Sequence, residues 1–280
     1  MTTINVVGCG RVGQSLARLL HDHDACEIQD IKGREIVQTQ SAAAFIGGGR
    51  AVETIDQMRA ADIWLFAVPD SRIAEVSAEF ALALPPRSDS RGANPPIAFH
   101  CSGFLPASTL EPLRALGWQL ASVHPVLTFA TPEAAVQQFK GTPCGLEGDE
   151  CALRILRPLI AAIGGEAFAV LSERKGLYHA AAVFASNFTV VLQAIAREAW
   201  ADSGVPDEVA RKIQRSLVQA TLENVLKFGP AAITGPAARG DTHVVELQGA
   251  EVSRWHPRAG VVYRELSVLA RNLAEHQSTS

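Results

Sequence analysis

Short apolar runs alternate with stretches of helical periodicity in the N-terminal part of the chain. Runs such as Ile63–Val68 are short and rich in β-branched or aromatic residues, whereas Val12–Leu20 repeats its apolar residues at helical spacing. This alternation is typical of a parallel sheet whose strands are joined by crossover helices. The pattern predicts strands at Ile4–Val7, Glu27–Lys32, Ile63–Val68, Ile97–His100, Trp118–His124, Thr142–Leu146 and Ala167–Val170. It predicts helices at Val12–Leu20, Ile73–Leu84, Leu110–Leu116 and Cys151–Ile163, with an exposed loop at Pro85–Pro96.

The strand pattern fades in the C-terminal part, where long helical stretches replace it. Leu177–Ala201, Asp207–Phe228 and Arg258–His276 each have the periodicity and the flanking Gly or Pro residues of a helix. We therefore predict two domains, a sheet domain at residues 1–171 and an all-helical domain at residues 172–280.

One predicted helix contains a long uncharged run. Leu177–Ala196 has no Asp, Glu, Lys or Arg and is long enough to span a bilayer. His179, Asn187 and Gln193 interrupt it, and polar side chains are costly in lipid. We expect a helix buried inside the protein or in a homodimer, and no membrane span.

Composition narrows the class of protein. The chain has 280 residues, of which 48% are hydrophobic and 19% charged, so it can bury a substantial core. A net charge of −4 gives no basic field for nucleic acid or anionic membranes. The cysteines form neither a C-x-x-C pair nor a Cys/His cluster at zinc spacing, and the N-terminus does not read as a secretory signal. We expect a cytoplasmic protein with reduced thiols and no metal site.

A G-x-G-x-x-G motif directly follows the first predicted strand and opens the first helix. Its residues are Gly8, Cys9, Gly10, Arg11, Val12 and Gly13. In this context the glycines permit a tight turn, close approach of a pyrophosphate and close packing of helix on strand. The helix N-terminus adds free N–H groups for the phosphates. The motif predicts a Rossmann-type dinucleotide site, and the alternative is a purely structural glycine turn.

The end of the second predicted strand indicates which dinucleotide is bound. An Asp or Glu at this point would hold the ribose hydroxyls of NAD, but Asp30 comes too early. The tip is basic instead, with Lys32 and Arg34, which suits the 2′-phosphate of NADP. The alternative is that both are solvated loop charges.

Further polar residues fall at the ends of three other predicted strands. Val68-Pro69-Asp70 follows one strand, Ser102 follows the strand that ends at His100, and His124 ends a third. Each has a structural alternative, since Asp70 can cap a helix, His100 can be a core histidine and Ser102 can turn the chain. Ligands bind beyond the carboxyl ends of parallel strands, so we predict that Val68, Pro69, Asp70 and Ser102 contact the cofactor.

The C-terminal half contains polar residues that could form a second side of the substrate pocket. On a continuous helix, the polar residues His179, Ser186, Asn187, Gln193 and Arg197 share one face. Substrate, water or neighbouring helices would have to satisfy them. In the loop Thr234–Asp241, Arg239 can bind an anionic substrate or pair with Asp241.

Together these segments resemble one family, the Rossmann-like proteins whose C-terminal half is domain of unknown function 2520. The resemblance rests on the glycine motif, Val68 to Asp70, His100 to Gly103, Trp118 to Phe129, Cys144 to Asp149, Tyr178 to Asn187 and Thr234 to Asp241. More distantly the chain is similar to pyrroline-5-carboxylate reductase, ketopantoate reductase and the 6-phosphogluconate dehydrogenase-like enzymes. The resemblance implies a nicotinamide cofactor and a helical domain used for dimerisation.

The resemblance also contains one departure. In the hydroxyacid dehydrogenase and ketopantoate reductase relatives, a catalytic Lys stands four residues before an Asn on the long helix. If Asn187 matches that Asn, Val183 occupies the Lys position. His179, or else Lys175, would then have to supply the proton.

These inferences combine into one hypothesis, an NADP-dependent reductase or dehydrogenase of a small carbonyl, imine or hydroxy-acid substrate. The most specific version of this hypothesis is an enzyme in the class of ketopantoate reductase. His179 is the predicted acid, with Asn187 and Ser102 positioning the substrate. His124 would orient the substrate oxygen, and Lys175 and Arg239 would hold a carboxylate. The alternative, favoured by Val183, is a catalytically silent NADP-binding sensor or interaction protein. Polar groups that converge near the nicotinamide would favour the enzyme.

Overall fold

The computed structural model describes residues 1–84 and 95–280, so residues 85–94 of the predicted loop Pro85–Pro96 lie outside the described ranges. The chain forms two compact units, Met1–Phe184 and Ala185–Ser280, which are described separately below. The first unit ends later than the predicted boundary at residues 171/172.

The first unit contains one sheet of eight strands. The strands are Thr3–Val7 (β1), Glu27–Lys32 (β2), Arg50–Val52 (β3), Ile63–Phe66 (β4), Ile97–His100 (β5), Gln119–Pro125 (β6), Pro143–Gly148 (β7) and Glu166–Ala169 (β8). Their order is β3-β2-β1-β4-β5-β6-β7-β8, and all neighbours are parallel except β6 and β7. This architecture confirms the predicted Rossmann-type sheet followed by helices.

Helices cover the sheet and make up the second unit. The α-helices are Arg11–Asp22 (α1), Ile36–Ile46 (α2), Ile73–Ala83 (α3), Pro132–Gln138 (α4), Glu150–Ala162 (α5), Lys175–Ala185 (α6), Asn187–Asp202 (α7), Asp207–Phe228 (α8), Thr242–Trp255 (α9) and Pro257–His276 (α10). Short 3-10 segments lie at Ile55–Gln57, Asp70–Arg72, Ala107–Leu116, Ser172–Arg174 and Gly229–Ala232.

Two apolar layers hold the sheet between helices. On one face, leucines of α1 and α5 pack on β1, β4 and β5. On the other, α3 and the 3-10 segment Ala107–Leu116 pack around Trp64 and Trp118, whose rings lie 4.9 Å apart. Every residue of β4 and β5 is buried, as expected for parallel strands covered on both sides. The continuous apolar runs of these strands therefore reflect their central position.

The sequence did not predict four of the elements, β3, α2, α4 and α9. β3 has only three residues, too few to show a two-residue period. α2 has a weakly amphipathic sequence, and α9 begins directly after the Gly/Pro-rich loop. α4 begins at Pro132, and the Thr131 side chain caps it by accepting a hydrogen bond from the Ala134 N–H at 3.2 Å.

The prediction of one helix over Leu177–Ala201 was wrong. A turn at Ser186 separates α6 from α7, and Ser186 donates a hydrogen bond from its hydroxyl to the Asn187 side-chain oxygen at 2.8 Å. Such local side-chain bonds compete with helical ones. The turn changes the angle between residues on either side, so the predicted polar face from His179 to Arg197 is not one continuous face.

The turn also bears on the membrane question. By length and composition alone, Ser172–Asp202 is the one stretch of the described residues that could cross a membrane, which is weak evidence. The turn keeps the helical hydrogen bond from the Val190 N–H to the Ser186 carbonyl, at 3.2 Å, so it is no barrier to a span. The polar residues His179, Asn187 and Gln193 disfavour a span, because they are costly in lipid.

A buried carboxylate fixes the edge of the sheet formed by β2 and β3. Asp30 in β2 is fully buried and forms ion pairs with Arg50 and Arg59, each at 2.9 Å. It also accepts the Arg59 backbone N–H at 2.7 Å. Burial raises the pKa of Asp30, but the hydrogen bonds from Arg59 and Arg50 outweigh burial and hold it below its ordinary value of 3.8. Asp30 is thus a structural residue, in line with its exclusion as a ribose ligand.

Replacing this carboxylate should destabilise the fold in a pH-dependent way. We expect Asp30→Asn to lower the free energy of unfolding at pH 7 by about 1.5–3 kcal/mol, because Arg50 and Arg59 lose their hydrogen bonds to a charged carboxylate. A lowered folded-state pKa adds stability above the unfolded value of 3.8, and that stability disappears as the pH falls through the folded value. Urea titrations of both proteins from pH 7 to pH 3 measure the difference, which should shrink toward acid pH.

The matched control is Asp22→Asn, which removes an exposed carboxylate paired with Arg18 on the same helix. We expect a loss below about 1 kcal/mol there. Equal losses for the two variants would contradict the role assigned to Asp30.

Candidate functional site

The glycine loop between β1 and α1 requires glycine at two positions, one for its backbone conformation and one for close packing. Gly8 has φ +99°, and a Cβ there would lie 2.5 Å from the Ala67 carbonyl oxygen. A Cβ at Gly13 would collide with the Gly8 carbonyl oxygen. At Gly10, by contrast, no described atom lies within 4 Å of the Cβ position, and α1 begins there without a side-chain cap. The open space and the uncapped N–H groups fit a phosphate.

The loop forms one wall of a cleft of about 450 Å³. In this strand order the direction of the chain along the sheet reverses between β1 and β4, where ligands bind in open α/β sheets. The cleft brings together seven of the residues predicted to hold the cofactor: Gly8, Cys9, Gly10, Lys32, Arg34, Val68 and Pro69. Within the described chain, the predicted residues Arg11, Val12, Gly13, Asp70 and Ser102 are not among those that line it.

The basic tip of β2 is held by a residue that the sequence did not indicate. The Thr39 hydroxyl accepts a hydrogen bond from the Gly33 N–H at 3.1 Å and donates one to the Glu35 carbonyl at 2.8 Å. Lys32 donates from its ammonium group to the Gly33 carbonyl at 3.4 Å. Arg34 is exposed and forms no ion pair in the described part of the chain, so its guanidinium is available to an anion.

Asp70 and Ser102 meet at the carboxyl ends of β4 and β5. The Ser102 hydroxyl donates to the Asp70 carboxylate at 2.6 Å and accepts the N–H groups of Phe104 at 3.1 Å and Leu105 at 2.9 Å. One donor and two acceptor positions exhaust a hydroxyl. Ser102 therefore stabilises the turn after β5, which was the structural alternative, and has no bond left for a substrate. Asp70 makes no capping bond to α3.

His100 is a core histidine. Its Nδ1 accepts the Ser102 N–H at 3.1 Å, and its Nε2 donates to the Pro106 carbonyl at 3.0 Å. Burial lowers the pKa of His100 to about 4, so the ring is neutral. Its role is to fix the loop that follows β5.

Lys175 is buried, and its ammonium group is bonded to partners after β5, on β6 and on β7. Its side chain is only 2% exposed, and its ammonium group donates to the Ser102 carbonyl at 2.8 Å and to the Ser122 hydroxyl. The third partner is the Glu147 carboxylate, at 3.5 Å. Burial lowers the pKa of Lys175 from its ordinary value of 10.5, and Glu147 opposes that shift. All three donors are used, which corrects the expectation that Lys175 holds a substrate carboxylate.

Glu147, for which the sequence indicated no role of its own, completes this buried network. It accepts the Ala107 N–H at 2.7 Å and the Ser172 hydroxyl at 2.6 Å. The antiparallel pairing of β6 and β7 places Glu147 opposite Ser122 and Gly145 opposite His124. The sequence did contain one signal for this role, because Glu147 is the single acidic residue in the otherwise apolar strand β7.

Two histidines and a tyrosine form a second group of polar side chains, near the end of β6. His124, near the end of β6, has its Nδ1 2.8 Å from the Tyr178 hydroxyl, and its ring lies 5.8 Å from that of His179. Burial, helped by the charges of His179 and Lys175, lowers the pKa of His124 to about 4. Burial raises the pKa of Tyr178 to about 12. The sequence indicated both histidines but assigned no role to Tyr178.

Two predicted site residues lie in the second unit. Asn187 begins α7, and Arg239 is exposed in the loop before α9. Asp241 caps α9 by accepting the Val244 N–H at 3.4 Å. Among the described residues Arg239 forms no ion pair, so the suggested pairing with Asp241 is not observed.

Comparisons with known proteins agree with this architecture. Residues 142–269 match the family described as Domain of unknown function (DUF2520), which confirms the resemblance seen in the sequence. A search of the curated proteins finds no match.

Solved structures match over nearly the whole chain. Protein TM1727 from Thermotoga maritima is 28% identical, with a TM-score of 0.75, and the match covers 98% of this chain and 99% of that one. The imine reductase from Myxococcus stipitatus in complex with NADP+ is 17% identical, with a TM-score of 0.67 and coverages of 99% and 96%. A pyrroline-5-carboxylate reductase from Coxiella burnetii is 16% identical, with a TM-score of 0.58 and coverages of 100% and 99%. The last two likenesses establish a shared fold.

The buried pair of Lys175 and Glu147 gives a prediction about stability. We expect Lys175→Met to lower the free energy of unfolding by about 3–5 kcal/mol, because it leaves the Glu147 carboxylate buried without a cation. The double variant Lys175→Met/Glu147→Gln, which removes both charges, should recover a large part of that loss. Urea denaturation of the three proteins measures both effects. A single variant as stable as the wild type would show that the pair does not hold α6 on the sheet.

Proposed function

We propose that the chain is an NADP(H)-dependent oxidoreductase that transfers a hydride between the nicotinamide and a small carbonyl, imine or hydroxy-acid substrate. One observation carries the proposal: the glycine-loop cleft and a cluster of polar groups at the ends of β5 and β6 lie at the same edge of the sheet. Polar groups that converge at this edge also favour an enzyme over a silent binding protein.

We propose that the two halves of the dinucleotide bind at two parts of the sheet. Lys32 and Arg34 line the cleft at the end of β2, and their charges suit the 2′-phosphate of the adenosine half. The N-terminus of α1 suits the pyrophosphate, and the nicotinamide half would then lie toward β5 and β6. When bound, the nicotinamide would supply or accept the hydride.

The protein would supply the proton and the positioning. We assign the proton donor to His179, because its ring lies 5.8 Å from that of His124 and because an imidazole can donate a ring proton. Lys175 is excluded from this role by its three buried partners. The substrate contacts predicted from the sequence for Asn187 and Arg239 stay predictions. The free state of all five cysteines supports a cytoplasmic location.

Arg34 should set the preference for NADPH over NADH. A charge-assisted bond to the 2′-phosphate is worth roughly 1.5–3 kcal/mol, which is about ten- to a hundredfold in affinity. We expect Arg34→Ala to remove most of this preference and to leave the affinity for NADH nearly unchanged. Fluorescence titration with both cofactors measures it. Arg154→Ala in α5 is the matched control, because α5 packs on β6, β7 and β8 at the other end of the sheet. Equal affinities in the wild type would rule out the assignment.

The activity itself is tested by following NADPH oxidation with a panel of 2-keto acids, aldehydes and cyclic imines. The proposal expects at least one member to be reduced. A protein that binds NADPH tightly but reduces none of them would instead support the sensor.

We also propose that the second unit forms a homodimer. Its helices α7, α8 and α10 expose many large apolar side chains, more than a soluble monomer usually does. Light scattering should return a dimer, and Val190→Glu in α7 should weaken it. Val37→Glu in α2, at nearly the same exposure (69% against 70%), is the control. A monomeric wild type at high micromolar concentration would count against the dimer.

A further inference from the structure

The hydrogen bond between Tyr178 and His124 has a consequence for the chemistry of the site. We propose that His124 acts as a neutral hydrogen-bond donor to the carbonyl oxygen or imine nitrogen of the substrate, and that Tyr178 is the positioning residue that fixes its tautomer. This inference rests on the proposed function and adds a residue and a charge state to it.

The direction of the hydrogen bond follows from the two partners. The Tyr178 hydroxyl and His124 Nδ1 are 2.8 Å apart, and the rings meet edge to face at 89°. A phenol is the better donor and a neutral imidazole nitrogen the better acceptor, so the hydroxyl donates to Nδ1. The single proton of the neutral imidazole is then on Nε2. The tautomer is thus set by a residue that does not itself touch the substrate.

Two glycines leave room for the Tyr178 hydroxyl and for Nε2 of His124. A Cβ at Gly145, opposite His124 in the sheet, would lie 2.8 Å from the Tyr178 hydroxyl oxygen. A Cβ at Gly103 would lie 2.7 Å from His124 Nε2 and 2.5 Å from Cδ2 of His179. Glycine at 145 therefore admits the phenol, and glycine at 103 keeps a side chain away from Nε2 and from the neighbouring histidine.

The surroundings keep His124 neutral. Burial is the main cause of its low pKa of about 4, the charges of His179 and Lys175 on α6 act in the same direction, and Asp70 opposes them. A neutral imidazole keeps its Nε2 proton across the neutral pH range and can polarise a C=O or C=N bond without being an acid. His124 would then bind the substrate oxygen or nitrogen, and His179, the proposed proton donor, would supply the proton.

The charge and tautomer can be measured on the wild-type holoprotein with NADPH bound. Nitrogen-15 spectra of the histidine rings distinguish protonated from unprotonated nitrogens, and the His124→Gln spectrum assigns His124 among the eight histidines. We expect Nε2 protonated and Nδ1 unprotonated at pH 7, with no change at pH 6. A ring that carries its proton on Nδ1, or that is an imidazolium at pH 6, would overturn the proposal.

The role of Tyr178 is tested with Tyr178→Phe, which keeps the ring and removes the hydroxyl. We expect a mixture of His124 tautomers and a kcat about 10- to 100-fold lower on whichever panel member the wild type reduces, with NADPH affinity unchanged. Tyr263→Phe is the matched control, because the other tyrosine bonds Gln248 in the second unit. Wild-type turnover and tautomer in Tyr178→Phe would overturn this inference alone. A wild type that binds NADPH and reduces no panel member would overturn the proposed function as well.

Discussion

The buried ammonium group of Lys175 determines how the helix after the sheet is attached. It joins the first residue of α6 to the Ser102 carbonyl after β5, to Ser122 on β6 and to Glu147 on β7. A buried charge is tolerated only when its partners are complete, so each of these contacts constrains the others. Tyr178 and His179 follow Lys175 by three and four residues, which is one helical turn. Their positions beside His124 therefore depend on the same ammonium group.

The sequence predicted the strand ends well, because the alternation of apolar runs and helices is local information. The glycine motif, Lys32, Arg34 and His124 all fall where that pattern places them. Glu147 and Tyr178 were missed as site residues because their partners lie on other elements. Only the antiparallel register of β6 and β7 brings Glu147 opposite Ser122, and no short sequence pattern specifies that register. The roles of Ser102 and Lys175 changed for the same reason.

The helix break at Ser186 shows a second limit. Periodicity predicted a single helix because a turn of one residue leaves the apolar composition on both sides unchanged. The angle between side chains, however, depends on every intervening residue being helical. A face drawn across the turn consequently grouped His179 with Asn187, although each belongs to a different compact unit.

The ends of the sheet carry a consequence for aggregation. Both edge strands are short, with three residues in β3 and four in β8. Long, flat edges offer unpaired N–H and C=O groups to other chains, and short edges limit such pairing. Unwanted self-association through strand addition is therefore disfavoured in the first unit. If the purified protein precipitates, solubility engineering should begin with the apolar helical surface of the second unit and leave the sheet unchanged.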